Sequence, residues 1–477
     1  MSDKATLNYV LKWIDAIEGA PVRTLARFEI SLNDLPIWPV WGDEETDLDI
    51  YVDDILAFLT INWDALLLEQ VYPQGLNVDR PSKVRDAAEW RVSRGPRNTY
   101  SNNLLASTIA FARSHDLARC FGGLYELPPF WMMRQGVDML LETADRIERV
   151  PLATWVRFAS DLGDCIAKRL ESDFEKWGTL VAAWRARDVV DPVRIAALAT
   201  GQSAEVAGQL IADELIPRTE SVLEAANDND GLRIAARMVG SIPYHAIRAV
   251  LTAAKSVPHK QSPALDKLRE DLVAEMATVS EGAYPYEQGV HAANWLRRHC
   301  DLDSEARADP IATLEHYGVQ LRQEQIGPSV LDAIAIWGST YGPGVIFNLA
   351  SRRLVGKGSR VSGRALKIVA AHELGHIVLD FRRTLAAVDI LDSRMPVAAE
   401  QRANAFAAEF MLPARTAVTL WRQSELPSTR DGLFSFLNRL SIRFDVSRVV
   451  AGWQLDHGLA GSDAEIVFLL NDLLERV

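Results

Sequence analysis

The string HELGH, His372 to His376, lies inside an uninterrupted helix-forming run, RALKIVAAHELGHIVLDF, and no other feature limits the fold as strongly. Two histidines four apart share one helical face about 6 Å apart, so both imidazoles can reach a single Zn²⁺. Glu373 is rotated about 100° from His372, beside the metal's open position. From there its carboxylate can take a proton from the water the metal activates and deliver it to a leaving amine. The chain has nine histidines, and chance placement would produce this spacing in about one such sequence in a hundred. An amphipathic helix carrying two hydrogen-bonded histidines is the weaker alternative.

A catalytic zinc needs a third protein ligand, leaving the fourth position for water. The HELGH helix is expected to run from about Gly363 to Phe381 with Ser362 as its N-cap, and a second helix from Val397 to Met411, stopped by Pro413. That second helix offers Glu400 and Glu409, which face opposite ways, so only one can point at the metal. Glu400 shares a stripe with Asn404, Ala407 and Met411, whose small residues would let the helix pack closely at Gly375. Glu400 is therefore the expected ligand. Asp380 continues the histidine stripe one turn too far on to complete the same tetrahedron, and a solvated helix end is preferred there to a carboxylate supporting a ligand.

The second helix reads EQRANAFAAEFMLP, Glu400 to Pro413. It resembles the E-x-x-A-N-x-F-A…M-P signature of the ImmA/IrrE-type zinc metallopeptidases and follows HELGH at a suitable distance. Tyr317-Gly318-Val319, the strand ending in Asn348, and FDVS at Phe444 to Ser447 with Gln454, Leu455 and Gly458 are similar to other parts of that family. The resemblance covers about residues 305 to 460. It implies a zincin-like α+β domain with one Zn²⁺ held by His372, His376 and Glu400, and Glu373 as general base. It also implies cleavage of helix-turn-helix repressors, relieving repression after DNA damage or during mobile-element induction. Lys367 to Ala371 and Met411-Leu412-Pro413 depart from the family pattern by apolar exchanges, which point to a divergent branch. By analogy, a peptide substrate would add as a strand along a sheet edge supplied by Val345 to Leu349 or Leu331 to Trp337.

The other residues define the setting. A chain of 477 residues, 48% hydrophobic and 24% charged, exceeds one core and is too apolar to be disordered. The expected fold is multidomain and mostly α with small α+β parts. Residues 1–95 are read as a mixed unit with a strand from Arg27 to Leu32 and a helical pattern capped by Asp47. Residues 96–304 are read as a helical sensor or substrate-selecting domain, and 305–477 as the α+β metallopeptidase domain, with a small sheet and the HELGH helix. The polar stretch CDLDSEARADP, Cys300 to Pro310, marks the second boundary. The start lacks a basic leader and no long apolar run occurs, so a cytoplasmic protein without membrane contact is expected. Cys120, Cys165 and Cys300 are scattered, which fits neither a disulfide framework nor a cysteine metal site.

A formal charge of −13 repels phosphate backbones and argues against direct nucleic-acid binding. Arginine outnumbers lysine roughly fourfold, which reads as bacterial GC-rich codon bias and weakens arguments from single arginines. Asp228 to Gly231 lacks the carboxylates of a calcium loop. Asp47 to Asp54 has Val52 where such a loop needs glycine, and Gly356 to Ser359 has the wrong order for a phosphate loop. Ile195 to Leu215 reads as helix, turn and helix, without the basic residues that DNA contact requires. Ten of the thirteen tryptophans precede residue 305 and are read as core anchors. The expected activity is thus zinc-dependent endoproteolysis of a protein substrate, with a DNA-binding repressor as the candidate, in stress or phage-related regulation. Its rival is a non-catalytic, zinc-stabilised binding protein whose helical region carries the function.

Overall fold

Leu25–Leu32 is buried at six of its eight positions and becomes the central strand of the first sheet. It pairs antiparallel with Leu7–Trp13, and also with Leu35–Trp38 and Asp49–Tyr51. The computed structural model describes residues 6–474 apart from 18–19, 22, 41–48, 77, 95–98, 124–125, 228–242, 280–282, 328, 330, 338–340, 356–361, 382–396 and 460–462. The chain falls into two compact units, Met1–Asp228 and Asn229–Val477. The expectation of three domains divides it instead at 95/96 and 304/305.

In the first unit one hydrophobic cluster joins Phe28, Trp38 and Trp63 to Met132, Leu141, Trp155 and Trp184, so residues on both sides of position 95 share a core. Trp63, on the helix Asp53–Leu68, stacks on Trp155 and meets Trp184 edge to face. These tryptophans are core anchors, worth about 0.5–1.5 kcal/mol per ring pair beyond their buried area.

The helical pattern behind Asp47 begins later than expected, because residues 49–51 are a strand and Val52 occupies the N-cap position of the helix; Asp47 itself lies outside the described residues. The region 96–304, read as helical, contains a three-stranded meander, Trp131–Gln135, Asp138–Glu142 and Ile147–Pro151. Trp131 to Arg134 are all buried, so the period-2 alternation of a half-exposed strand is absent and the run cannot be told from a buried helix. The helix–turn–helix between 192 and 212 is present, with Gly201 in the left-handed conformation at the turn. The segments 228–231 and 356–359 lie outside the described residues.

The second unit is built around the HELGH helix, Gly363–Leu379. Its N-terminus is set by Ser362, whose hydroxyl accepts from the Ala365 N–H at 3.4 Å. Val369, Ala370, Leu374, Ile377 and Val378 are buried. One flank is a three-stranded sheet in which Gly344–Asn348 lies between Gln320–Glu324, parallel to it, and Ala333–Ile336, antiparallel. The central place of Gly344–Asn348 corrects the expectation that Val345 to Leu349 could serve as an edge; Ala333–Ile336 is an edge and packs against the HELGH helix. The other flank is the helix Val397–Met411.

The helix Pro285–His299 belongs to the same unit and packs along Val397–Met411. Arg297 spans the Cys300 to Pro310 stretch by donating to the Phe410, Asp303 and Ala306 carbonyls. Those charged hydrogen bonds tie the polar segment to the helix beneath it. Among the described residues no helix is long and apolar enough to cross a membrane.

Candidate metal centre

His372 and His376 leave the HELGH helix from successive turns, with ring centroids 4.7 Å apart and planes at 73°. Their Nε2 atoms are 3.0 Å apart. Glu400, in the first turn of Val397–Met411, brings Oε2 within 3.5 Å of His372 Nε2 and Oε1 within 3.6 Å of His376 Nε2. The three donor atoms lie within 4.8 Å of one another, and among the described residues they form a His-His-Glu group able to hold a metal ion. A tetrahedron with bonds of about 2.0–2.1 Å has edges of about 3.3 Å, so the donor spacing suits a divalent ion such as Zn²⁺. Among the described residues Glu400 Oε1 is buried without a hydrogen-bond partner, an arrangement that costs about 1–3 kcal/mol unless a cation compensates it. The residues therefore fit the ion that the sequence implies.

The site is closed on one side. The His376 side chain is wholly buried, whereas His372 is 12% and Glu400 28% exposed. Solvent or substrate therefore reaches the donors from the His372–Glu400 side. Glu373, adjacent to His372, is buried at 1% exposure.

Glu409 occupies the opposite face of its helix. Its Oε1 accepts from Asn294 Nδ2, and its Oε2 accepts from the Ala414 N–H and Gln454 Nε2. It is a buried anchor between helices and takes no part in the donor cluster. The small-residue stripe is partly displaced: Gly375 faces Ala403 and Phe406, while Asn404 is exposed.

Asp380 corrects the preference for a solvated helix end. It is fully buried, and its Oδ2 accepts from His376 Nδ1 at 2.8 Å. Its Oδ1 accepts from the Arg402 guanidinium, whose second nitrogen donates to Gln288 Oε1 at 3.2 Å. Burial works against the charge on Asp380, but the His376 hydrogen bond and the charge of Arg402 outweigh it and hold the carboxyl below its usual range. The i,i+4 spacing of His376 and Asp380 was a legible signal. Arg402 and Gln288 were missed: with arginine so abundant, one more on a helix carried no weight.

Asn348 is a strut. Its Oδ1 accepts from the Ile326 and Ala350 N–H groups and its Nδ2 donates to the Leu331 carbonyl, closing the end of the sheet.

No curated protein and no solved structure matches the chain. The resemblance of the C-terminal third to the ImmA/IrrE family is a family match, because residues 315–455, which include all three donors and Glu373, fit the peptidase M78 model described as the IrrE N-terminal-like domain.

Proposed function

We propose that the C-terminal unit is a zincin-like endopeptidase domain in which His372, His376 and Glu400 hold one Zn²⁺ and Glu373 is the general base. The observation that carries this reading is the convergence of two imidazoles and a carboxylate from two helices, with a second, buried carboxylate next in sequence to one of them. The peptidase family match supports a metallopeptidase-type function independently. A bound zinc ion would polarise the scissile carbonyl and acidify a water molecule.

The protein groups would do the remaining work. Glu373 takes a proton from the attacking water and returns it to the amine nitrogen as the C–N bond breaks. Burial excludes competing water from that carboxylate and strengthens its hydrogen bonds in the transition state. The edge strand Ala333–Ile336 flanks the HELGH helix but is buried at every position, so pairing with an extended peptide would require that edge to be uncovered first. The proposed substrate is a cytoplasmic helix-turn-helix repressor, and the acidic chain suits a basic DNA-binding partner better than DNA itself.

The deciding experiment compares the wild type with Glu373→Gln for zinc content and for cleavage of repressors encoded beside the gene. Both proteins should bind one zinc per chain, and only the wild type should cut. Cleavage by both would remove Glu373 from its role. Retained zinc with no cleavage of any neighbouring repressor by the wild type would favour the zinc-stabilised binding protein.

A further inference from the structure

His376 is gripped from behind by a chain of buried polar groups reaching beyond the family-matched segment. Its Nδ1 meets Asp380, Asp380 meets Arg402, and Arg402 meets Gln288 on the helix Pro285–His299. A carboxylate only accepts, so Nδ1 carries the imidazole proton and Nε2 presents its lone pair. That Nε2 faces His372 Nε2 at 3.0 Å and Glu400 Oε1 at 3.6 Å.

We propose that Arg402 is a positioning residue of the metal centre. It anchors the Asp380 carboxylate that sets the tautomer and ring plane of His376. Through Gln288 it recruits the helix Pro285–His299, outside residues 315–455, into the support of the metal site. The inference rests on the metal-site reading above and deepens it.

Asp380 is fully buried and Arg402 is 7% exposed, so each charge requires the other, and removing one partner strands the other away from water. The guanidinium is planar and presents several N–H donors in fixed directions, which lets one side chain hold Asp380 and Gln288 together. An ammonium would keep the charge and lose that two-directional grip. The close approach that makes this possible is at the next residue: a Cβ on Gly289 would lie 2.2 Å from the Arg402 carbonyl oxygen. Only glycine there lets the two helices come near enough for Gln288 to reach the guanidinium.

The test uses full-length wild type, Arg402→Met, Arg402→Lys and Gln288→Ala. Zinc affinity is measured by competition with a chelating dye, and the His376 tautomer by ¹⁵N-histidine spectra of the zinc-free protein. Arg402→Met should weaken zinc binding on the order of 10–100-fold and move His376 from the Nδ1–H form to a mixture of tautomers. Arg402→Lys should recover part of both, and Gln288→Ala should shift both in the same direction by less. A folded Arg402→Met with wild-type zinc affinity and an unchanged Nδ1–H signature overturns the proposal. Should that variant fail to fold, Gln288→Ala decides, and wild-type values for both readouts overturn it equally. A wild type that binds no zinc would instead sink the metal-site reading, while the zinc-free spectra would still report on the clamp.

Discussion

Gly375 and Phe406 meet where the two ligand-bearing helices cross: a Cβ on Gly375 would stand 3.0 Å from Phe406 Cδ1 and 3.4 Å from Ala403 Cα. The neighbouring crossing is tighter, since a Cβ on Gly289 would stand 2.2 Å from the Arg402 carbonyl oxygen and 3.0 Å from the Phe406 nitrogen. The first obstacle is chiefly a ring edge and the second is backbone. Gly375→Ala should therefore change stability by less than about 1 kcal/mol, as the gain in helix propensity offsets a small ring shift. Gly289→Ala must push two helices apart, costing about 1–3 kcal/mol and weakening zinc binding as Gln288 withdraws from Arg402. Denaturant unfolding and zinc titration of both variants check the contrast, and equal effects would contradict it.

Glu400 and Glu409 differ by face, and their removal should differ in kind. Glu400→Ala should abolish tight zinc binding while leaving the helices intact. Zinc at about 100 times its Kd should then no longer add its roughly 2.7 kcal/mol of stabilisation. Glu409→Ala leaves Asn294, the Ala414 N–H and Gln454 without their shared acceptor, costing about 1–3 kcal/mol for each donor that stays unpaired. Its zinc stoichiometry should remain one per folded chain. Melting with and without zinc separates the two, and a zinc-free Glu409→Ala that still folds would refute the face assignment.

What the sequence revealed about this molecule followed from periodicity and local chemistry. The HELGH helix begins where Ser362 indicates and the next helix stops before Pro413; a nine-residue spacing on a 3.6-residue turn put Glu400 and Glu409 on opposite faces, whereas the small-residue stripe that favoured Glu400 is only partly kept, with Asn404 exposed. The meander at 131–151 was hidden because its first two strands are buried on both faces, which erases the alternation that identifies a strand. The packing of Pro285–His299 against Val397–Met411 was invisible for another reason. It depends on a close approach at Gly289 and on single hydrogen bonds from Asn294 and Arg297, none of which leaves a repeating pattern. The Asp380 clamp shows a mixed case, with half of it in i,i+4 spacing and the other half on a helix that only the fold brings near.

Gly163 is expected to be sensitive to substitution in the first unit. A Cβ there would fall 2.2–2.7 Å from three atoms of the Trp184 indole. The ring cannot yield, because its Nε1 donates to Asp164 at 2.7 Å, Trp63 abuts it edge to face, and the Arg187 guanidinium lies 3.7 Å over its centroid. Gly163→Ala should cost about 1–3 kcal/mol from overpacking and alter tryptophan fluorescence. A variant with wild-type stability and an unchanged spectrum would show that the indole can move.

Two groups in the first unit, the buried His115 and the partly exposed Glu69, titrate in opposite senses, and their balance predicts an unusual acid response. Burial lowers the pKa of His115 to about 4, against the opposing effect of its hydrogen bond to the Phe111 carbonyl. Burial first, and the Asp64 charge second, raise Glu69 to about 7, with Arg194 opposing. For His115 the unfolded chain binds the extra proton between about pH 6.5 and 4, so stability present above that window is lost as pH falls, by about 2 kcal/mol between pH 7 and 5. For Glu69 the folded chain holds the extra proton between its unfolded value near 4.5 and about 7, so stability rises as pH falls through the same range. A quarter of the Glu69 side chain is open to solvent, which tempers its share without changing its sign. The wild type should thus change little between pH 7 and 5 on account of this pair. Glu69→Gln removes the compensation and should lose about 2 kcal/mol over that interval relative to wild type. Urea unfolding followed by tryptophan fluorescence at the two pH values measures the difference, and parallel behaviour of wild type and variant would show that the two titrations do not oppose each other.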